Sequence, residues 1–131
     1  MLVTPPAAGV SASTSDTNVP ANTVDDNLAT RWSGAGDGAW IQYDLGATRT
    51  VGFATVAVYN GTSRRNRFDL QISGDGSTWT TVWSGESSGT TSQPEAYDFT
   101  DTSARYVRYL GHESTASTWN SVTEVDIHAL P

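Results

Sequence analysis

The chain has 131 residues, enough for one domain around one core and too few for a catalytic domain with an accessory one beside it. Its formal charge is −7, with no lysine and seven arginines, which disfavours nucleic acid and anionic membrane surfaces, since both call for an excess of basic groups. The absence of cysteine excludes a disulfide framework and a thiolate metal site, so stability must come from a core rich in Trp, Tyr and Phe, aided by an oxygen-ligated ion such as calcium.

Residues 1–9 carry two adjacent prolines among small residues and read as a linker end or loosely held lead-in, with the domain proper spanning 10–131. Trp40 to Leu45 alternates with period two, which predicts a strand, and Thr50 to Tyr59 predicts a longer, more apolar one. Arg67 to Ser73 alternates Phe68, Leu70 and Ile72 with polar neighbours. The Gly74-Asp75-Gly76 turn then joins it to Ser77–Trp83 as a hairpin. Pro94 to Phe99, Arg105 to Leu110 and Val122 to Ala129 complete the set, and no stretch has helical periodicity. This is an all-β pattern, an antiparallel sandwich or jelly roll of about eight strands with function on its loops. Three loops interrupt the rhythm: Asp16 to Gly38, Asn60 to Asn66 and Gly111 to Ser121. No run approaches the roughly 18 apolar residues of a membrane span.

The stretches VDDNLATRWSGAGDGAWIQYDLG, FDLQISGDGSTWTTV and ARYVRYLGHESTASTWNSVTEVDI together carry D-x-N-x-x-T-x-W, W-I-Q-Y-D-L-G, S-x-D-G-x-x-W and a terminal E-V-D-I. In that order and combination the chain resembles the discoidin, or coagulation factor V/VIII type C, domain, and within it carbohydrate-binding module family 32. The resemblance runs from Val10 to Leu130. It implies a sandwich that carries a structural calcium and serves as a non-catalytic sugar-binding module beside a polysaccharide-degrading enzyme. The expected setting is a secreted, extracellular bacterial protein, with the module acting as a monomer.

Asn22 to Thr30 is rich in the oxygens that calcium prefers. By position, the resemblance implies Asp25, Thr30 and Glu124 as side-chain ligands and Asn22 and Asn27 as carbonyl ligands. Asp26 stands where the family often has glycine, so either adjacent carboxylate can be the ligand. The plainer alternative is a polar turn whose side chains bond local N–H groups.

A sugar offers C–H patches to an aromatic face and hydroxyls to polar forks, and an acidic sugar adds a carboxylate that suits arginine. The loop from Tyr59 supplies Tyr59, Asn60, Arg64, Arg65 and Arg67, and the loop from Gly111 supplies His112, Trp119 and Asn120. These eight are the expected ligand contacts, and the arginine cluster favours an acidic polymer such as alginate or another polyuronate. Neutral galactosides or β-glucans, or a protein-adhesion role, are the alternatives. Trp32, Trp40 and Trp79 are expected in the core, and the arginines can equally form a solvated loop. For an enzyme, the carboxylate pairs Asp25/Asp26 and Glu124/Asp126 are poorly placed, since neither suggests two groups facing across a cleft.

Overall fold

A computed structural model describes residues 1–130. Seven antiparallel strands form: β1 (Val10–Ala12), β2 (Trp32–Ala35), β3 (Trp40–Val58), β4 (Asn66–Ser73), β5 (Thr80–Glu86), β6 (Glu95–Ser114) and β7 (Trp119–Ala129). Two short 3-10 turns, Ala7–Gly9 and Pro20–Val24, precede β1 and β2. The strand order is β2-β7-β3-β6-β4-β5, with β1 on the free side of β3.

Two layers arise because β3 and β6 are long and slip register together between Asp44/Arg49 and Val51/Phe53. Such irregularities bend strands and turn them from one sheet into another. In the front layer, residues 40–45 of β3 lie between β1 and residues 106–110 of β6, which continue to β4 and β5. In the back layer, residues 51–58 of β3 lie between β7 and the first half of β6, and β7 continues to β2. Segments that read in the sequence as separate strands on either side of residues 46–49 and 100–104 are therefore single strands turning a corner. Arg105 fixes that corner, its Nε donating to Asp44 Oδ1 at 2.9 Å and its Nη2 to Oδ2 at 3.2 Å.

Alternation decides what fills the space between the layers. Ile41 and Tyr43 from β3, Phe68 and Leu70 from β4, Val107 and Tyr109 from β6, and Val125 and Ile127 from β7 are all buried. Trp32 of the back layer meets Tyr109 of the front edge-on at 6.5 Å, and Phe68 stacks on Tyr109 at 4.4 Å. Each fully buried apolar side chain of this size contributes about 1.5–3 kcal/mol. Trp32 is thus in the core as expected. Trp40 and Trp79 instead lie half-buried outside the front layer, where the Arg108 guanidinium sits 5.4 Å and 4.0 Å from their ring centres.

The opening residues are not loosely held. Val3 N–H donates to the Ile127 carbonyl at 2.9 Å, Ile127 N–H to Thr4 Oγ1 at 2.9 Å and Ala129 N–H to the Met1 carbonyl at 2.8 Å, so they line the edge of β7 beyond β2. Among the described residues no helix is long and apolar enough to cross a membrane.

Candidate functional site

At one end of the sandwich, loops from both layers converge on Asn120. Its side chain is fully buried, and its Nδ2 donates to the carbonyls of Gly34 at 3.1 Å and Gly36 at 2.9 Å. Its Oδ1 accepts from Glu113 N–H at 2.8 Å and from Asn66 Nδ2 at 3.0 Å. A Cβ on Gly111 would collide with this amide, so glycine is required there. Asn120 is expected from the sequence to touch ligand. Every polar bond it has is instead spent on tying three loops together.

Around this hub lies a cavity of about 200 Å³. Tyr59, at the end of β3, is held by its N–H donating to the Ser121 carbonyl at 3.1 Å. Ser121 Oγ pairs with Ser33 Oγ at 2.8 Å, and Ser33 Oγ accepts from Arg31 Nε at 3.1 Å. That chain of contacts sets the Arg31 guanidinium 4.1 Å from the centre of the Tyr59 ring, while that of Arg64 lies 5.6 Å from the same ring. Trp119, 37 % exposed, completes the wall, and Asp16 stands at the rim. The Asn18 N–H holds the Asp16 carboxyl below its usual value against the opposing effect of burial, and the Asn18 side chain and Arg31 add to the lowering. Among the described residues no carboxylate forms an ion pair with Arg31 or Arg64, and Arg64 Nε is buried without a partner. Two guanidiniums with no ion-pair partner among the described residues thus flank an aromatic ring, an arrangement that could receive an anion attached to a sugar ring.

Of the expected ligand contacts, Tyr59, Arg64 and Trp119 line this cavity. Arg65 lines an adjoining one and pairs with Glu86 at 3.0 Å. Asn60 does not line it. Its φ of 51° makes it a turn residue, with its carbonyl accepting from Ser63 N–H. Arg67 projects from β4 in register with Glu86, away from the cavity. His112 is braced between Asp37 Oδ1 at 2.5 Å and Asp69 Oδ2 at 3.0 Å, and these two bonds raise its pKa. Arg31 and Asp16 also line the cavity and are not among the contacts expected from the sequence. No local signal marks Arg31, because its place in the cavity depends on Ser33 and its contact with Ser121 on a distant strand.

A second cluster joins the Asn22–Thr30 loop to β7. Thr30 Oγ1 lies 2.5 Å from Asp25 Oδ2, 3.1 Å from the Asn27 carbonyl and 3.5 Å from the Asn22 carbonyl. Asn27 N–H reaches Asp25 Oδ1 at 3.0 Å and Glu124 Oε1 at 3.3 Å. Glu124 is 5 % exposed, and its Oε2 is buried with no partner. Burial above all, then the neighbouring Asp25 carboxyl, pushes its pKa up to about 8. Carboxylate oxygens of Asp26, Glu124 and Asp126 lie within 4.8 Å of one another, so this group could hold a metal ion. The donors are all oxygen, as a hard cation requires, and the orphaned Glu124 oxygen fits one. Asp126 was not among the expected ligands, although residues two apart on β7 share a face.

Residues 22–109 match the F5/F8 type C family model of NedA-like, galactose-binding domains. The structure is similar to the CBM32 of AlyQ in complex with 4,5-unsaturated mannuronic acid, with 48% identity over 91% of this chain and 92% of that one and a TM-score of 0.90. It is also similar to truncated AlyQ with CBM32 and alginate lyase domains, at 45% identity and a TM-score of 0.94. There it covers 100% of this chain and 34% of that one. A pectin binding carbohydrate binding module is 26% identical, with a TM-score of 0.86 over 93% of this chain and 90% of that one. Among curated proteins none matches. The chain belongs to the F5/F8 type C (discoidin) family, and within it is a non-catalytic carbohydrate-binding module of family 32.

Proposed function

We propose that this module binds an acidic polysaccharide, alginate or a related polyuronate, in the cavity between Tyr59, Arg31, Arg64 and Trp119. The observation that carries the reading is the pair of guanidiniums packed on Tyr59, neither in an ion pair with a carboxylate among the described residues. In a polyuronate each sugar brings a carboxylate to such a pair and a C–H face to Trp119, while a neutral sugar leaves both arginines unanswered. The likeness to a module complexed with 4,5-unsaturated mannuronic acid supports the same ligand class. The module holds a catalytic domain of the same secreted, extracellular protein close to its substrate, and it acts as a monomer. The likeness to a chain that combines such a module with an alginate lyase domain supports this arrangement.

The oxygen cluster at the other loop holds a structural Ca²⁺. Asp25, Thr30 and Glu124 supply side chains and Asn22 and Asn27 their carbonyls, with Asp26 and Asp126 in reach of the same ion. The ion neutralises Glu124 and ties the first long loop to β7.

Calorimetric titration with alginate oligosaccharides tests the sugar reading. Replacing Arg31 or Arg64 with alanine should each weaken binding about 10- to 100-fold, the worth of a charge-assisted hydrogen bond. The circular dichroism spectrum should not change. Unaltered affinity in both variants would take the ligand out of this cavity.

A further inference from the structure

We infer that the binding surface holds two consecutive uronate residues, with Arg64 as the shared wall between two subsites. The inference rests on the polyuronate reading above and extends it past the first cavity. Arg64 lines the cavity of Tyr59 and Trp119 and also a second one of about 210 Å³, whose other walls are Thr62, Ser63, Arg65, Gly89 and Thr115. The second cavity is built of hydroxyls and guanidiniums, the groups that meet the hydroxyls and carboxylate of an acidic sugar.

Its walls are fixed relative to the first. Arg65 N–H donates to Thr115 Oγ1 at 3.0 Å, and Thr115 N–H donates to the Arg65 carbonyl at 2.8 Å, clasping the two loops. Arg65 Nη1 donates to Glu86 Oε1 at 3.0 Å, which orients the guanidinium and leaves its other donors for ligand. Gly89 has φ +75°, and a Cβ there would stand 2.9 Å from Arg65 Nε, so only glycine lets the 87–93 loop close over this side chain.

Arg31, Arg64 and Arg65 thus run along two adjoining cavities. A polyuronate presents one carboxylate per sugar, which Arg31 and Arg64 can meet, while Arg65, already paired with Glu86, adds N–H donors for the hydroxyls and carboxylate of the second sugar. The second subsite has no aromatic wall and works through hydrogen bonds and charge alone, which makes its contribution smaller and more sensitive to salt than that of the first.

Isothermal titration with the unsaturated mono-, di- and trisaccharides of mannuronate tests this. In the unmodified protein the disaccharide should bind roughly 5- to 10-fold tighter than the monosaccharide, the worth of one or two hydrogen bonds, and the trisaccharide should add little. Thr62→Trp fills the second cavity from an exposed position, and Arg65→Ala removes its cation. Either should bring the disaccharide back to the monosaccharide's affinity while leaving the monosaccharide unchanged. Equal affinity for mono- and disaccharide in the unmodified protein would overturn the inference, as would a disaccharide gain that survives both variants. Failure of every uronate to bind would instead overturn the polyuronate reading itself.

Discussion

Glu124 keeps a buried carboxylate oxygen with no donor near it, beside Asp25, Asp26 and Asp126. Leaving such a group unpaired is costly, and a bound cation removes the cost. Calcium at about 100 times its dissociation constant should add ~2.7 kcal/mol, read as a fall in melting temperature when chelator is added. Glu124→Gln should abolish that calcium dependence, and a melting curve indifferent to chelator would remove the ion. His112 carries a different prediction. Its hydrogen bonds to Asp69 and Asp37 raise its folded pKa above the usual value. The stabilisation is therefore complete below an unfolded value of about 6.5 and is lost as pH rises through the higher folded one. Burial of Asp69 works to raise its pKa, but the hydrogen bonds from His112 and Ser84 outweigh it and lower the pKa, so its own share is lost only in acid. His112→Ala should depress the melting temperature most below the unfolded value of about 6.5 and progressively less as pH rises through the raised folded one. A pH-independent difference would show that His112 acts by packing alone.

The strands pose a test of core polarity. Tyr43 of β3 and Tyr109 of β6 are both buried, but Tyr43 Oη pairs with Thr23 Oγ1 at 2.9 Å while Tyr109 Oη has no partner. Removing a satisfied hydroxyl loses a bond, and removing an orphaned one relieves a desolvation cost. Tyr43→Phe should lose about 1 kcal/mol in urea unfolding and Tyr109→Phe should gain about as much. Equal losses in both would mean that Tyr109 is hydrogen-bonded. At this scale the sequence was a good guide where alternation ran through branched and aromatic residues, as in 40–45 and 67–73. It failed at the corner of β3, because the Gly46–Arg49 stretch reads locally as a turn, and the two halves of the strand are joined only by pairing with β6 on either side of it, Asp44 with Tyr106 and Arg49 with Ala104. Strand β2 was hidden because Ser33, Gly34 and Ala35 have weak strand preference and pair only through Ser121, Asn120 and Trp119, far along the chain.

For the whole molecule, an acidic chain carries a local cationic cleft made by bringing Arg31, ahead of β2, to Arg64, after β3. The Arg64 half was legible as a cluster in the sequence. The Arg31 half was not, since it depends on the Ser33–Ser121 contact between distant strands. Asn120 was misread for the same reason, its four partners being spread from Gly34 to Glu113. Long-range satisfaction of polar groups separates a loop residue that meets ligand from one that builds the loop, and local sequence does not carry it.

We propose an acidic sugar between Tyr59, Arg31, Arg64 and Trp119. This placement is tested most directly by following backbone and indole N–H resonances during titration with 4,5-unsaturated mannuronic acid, with galactose as control. Saturable shifts centred on the Trp119 indole, Tyr59 and Arg31, lost in Arg64→Ala and absent with galactose, are the predicted result. Shifts confined to another surface, such as the Trp40–Arg108–Trp79 face of the front layer, or a response to galactose alone, would contradict it.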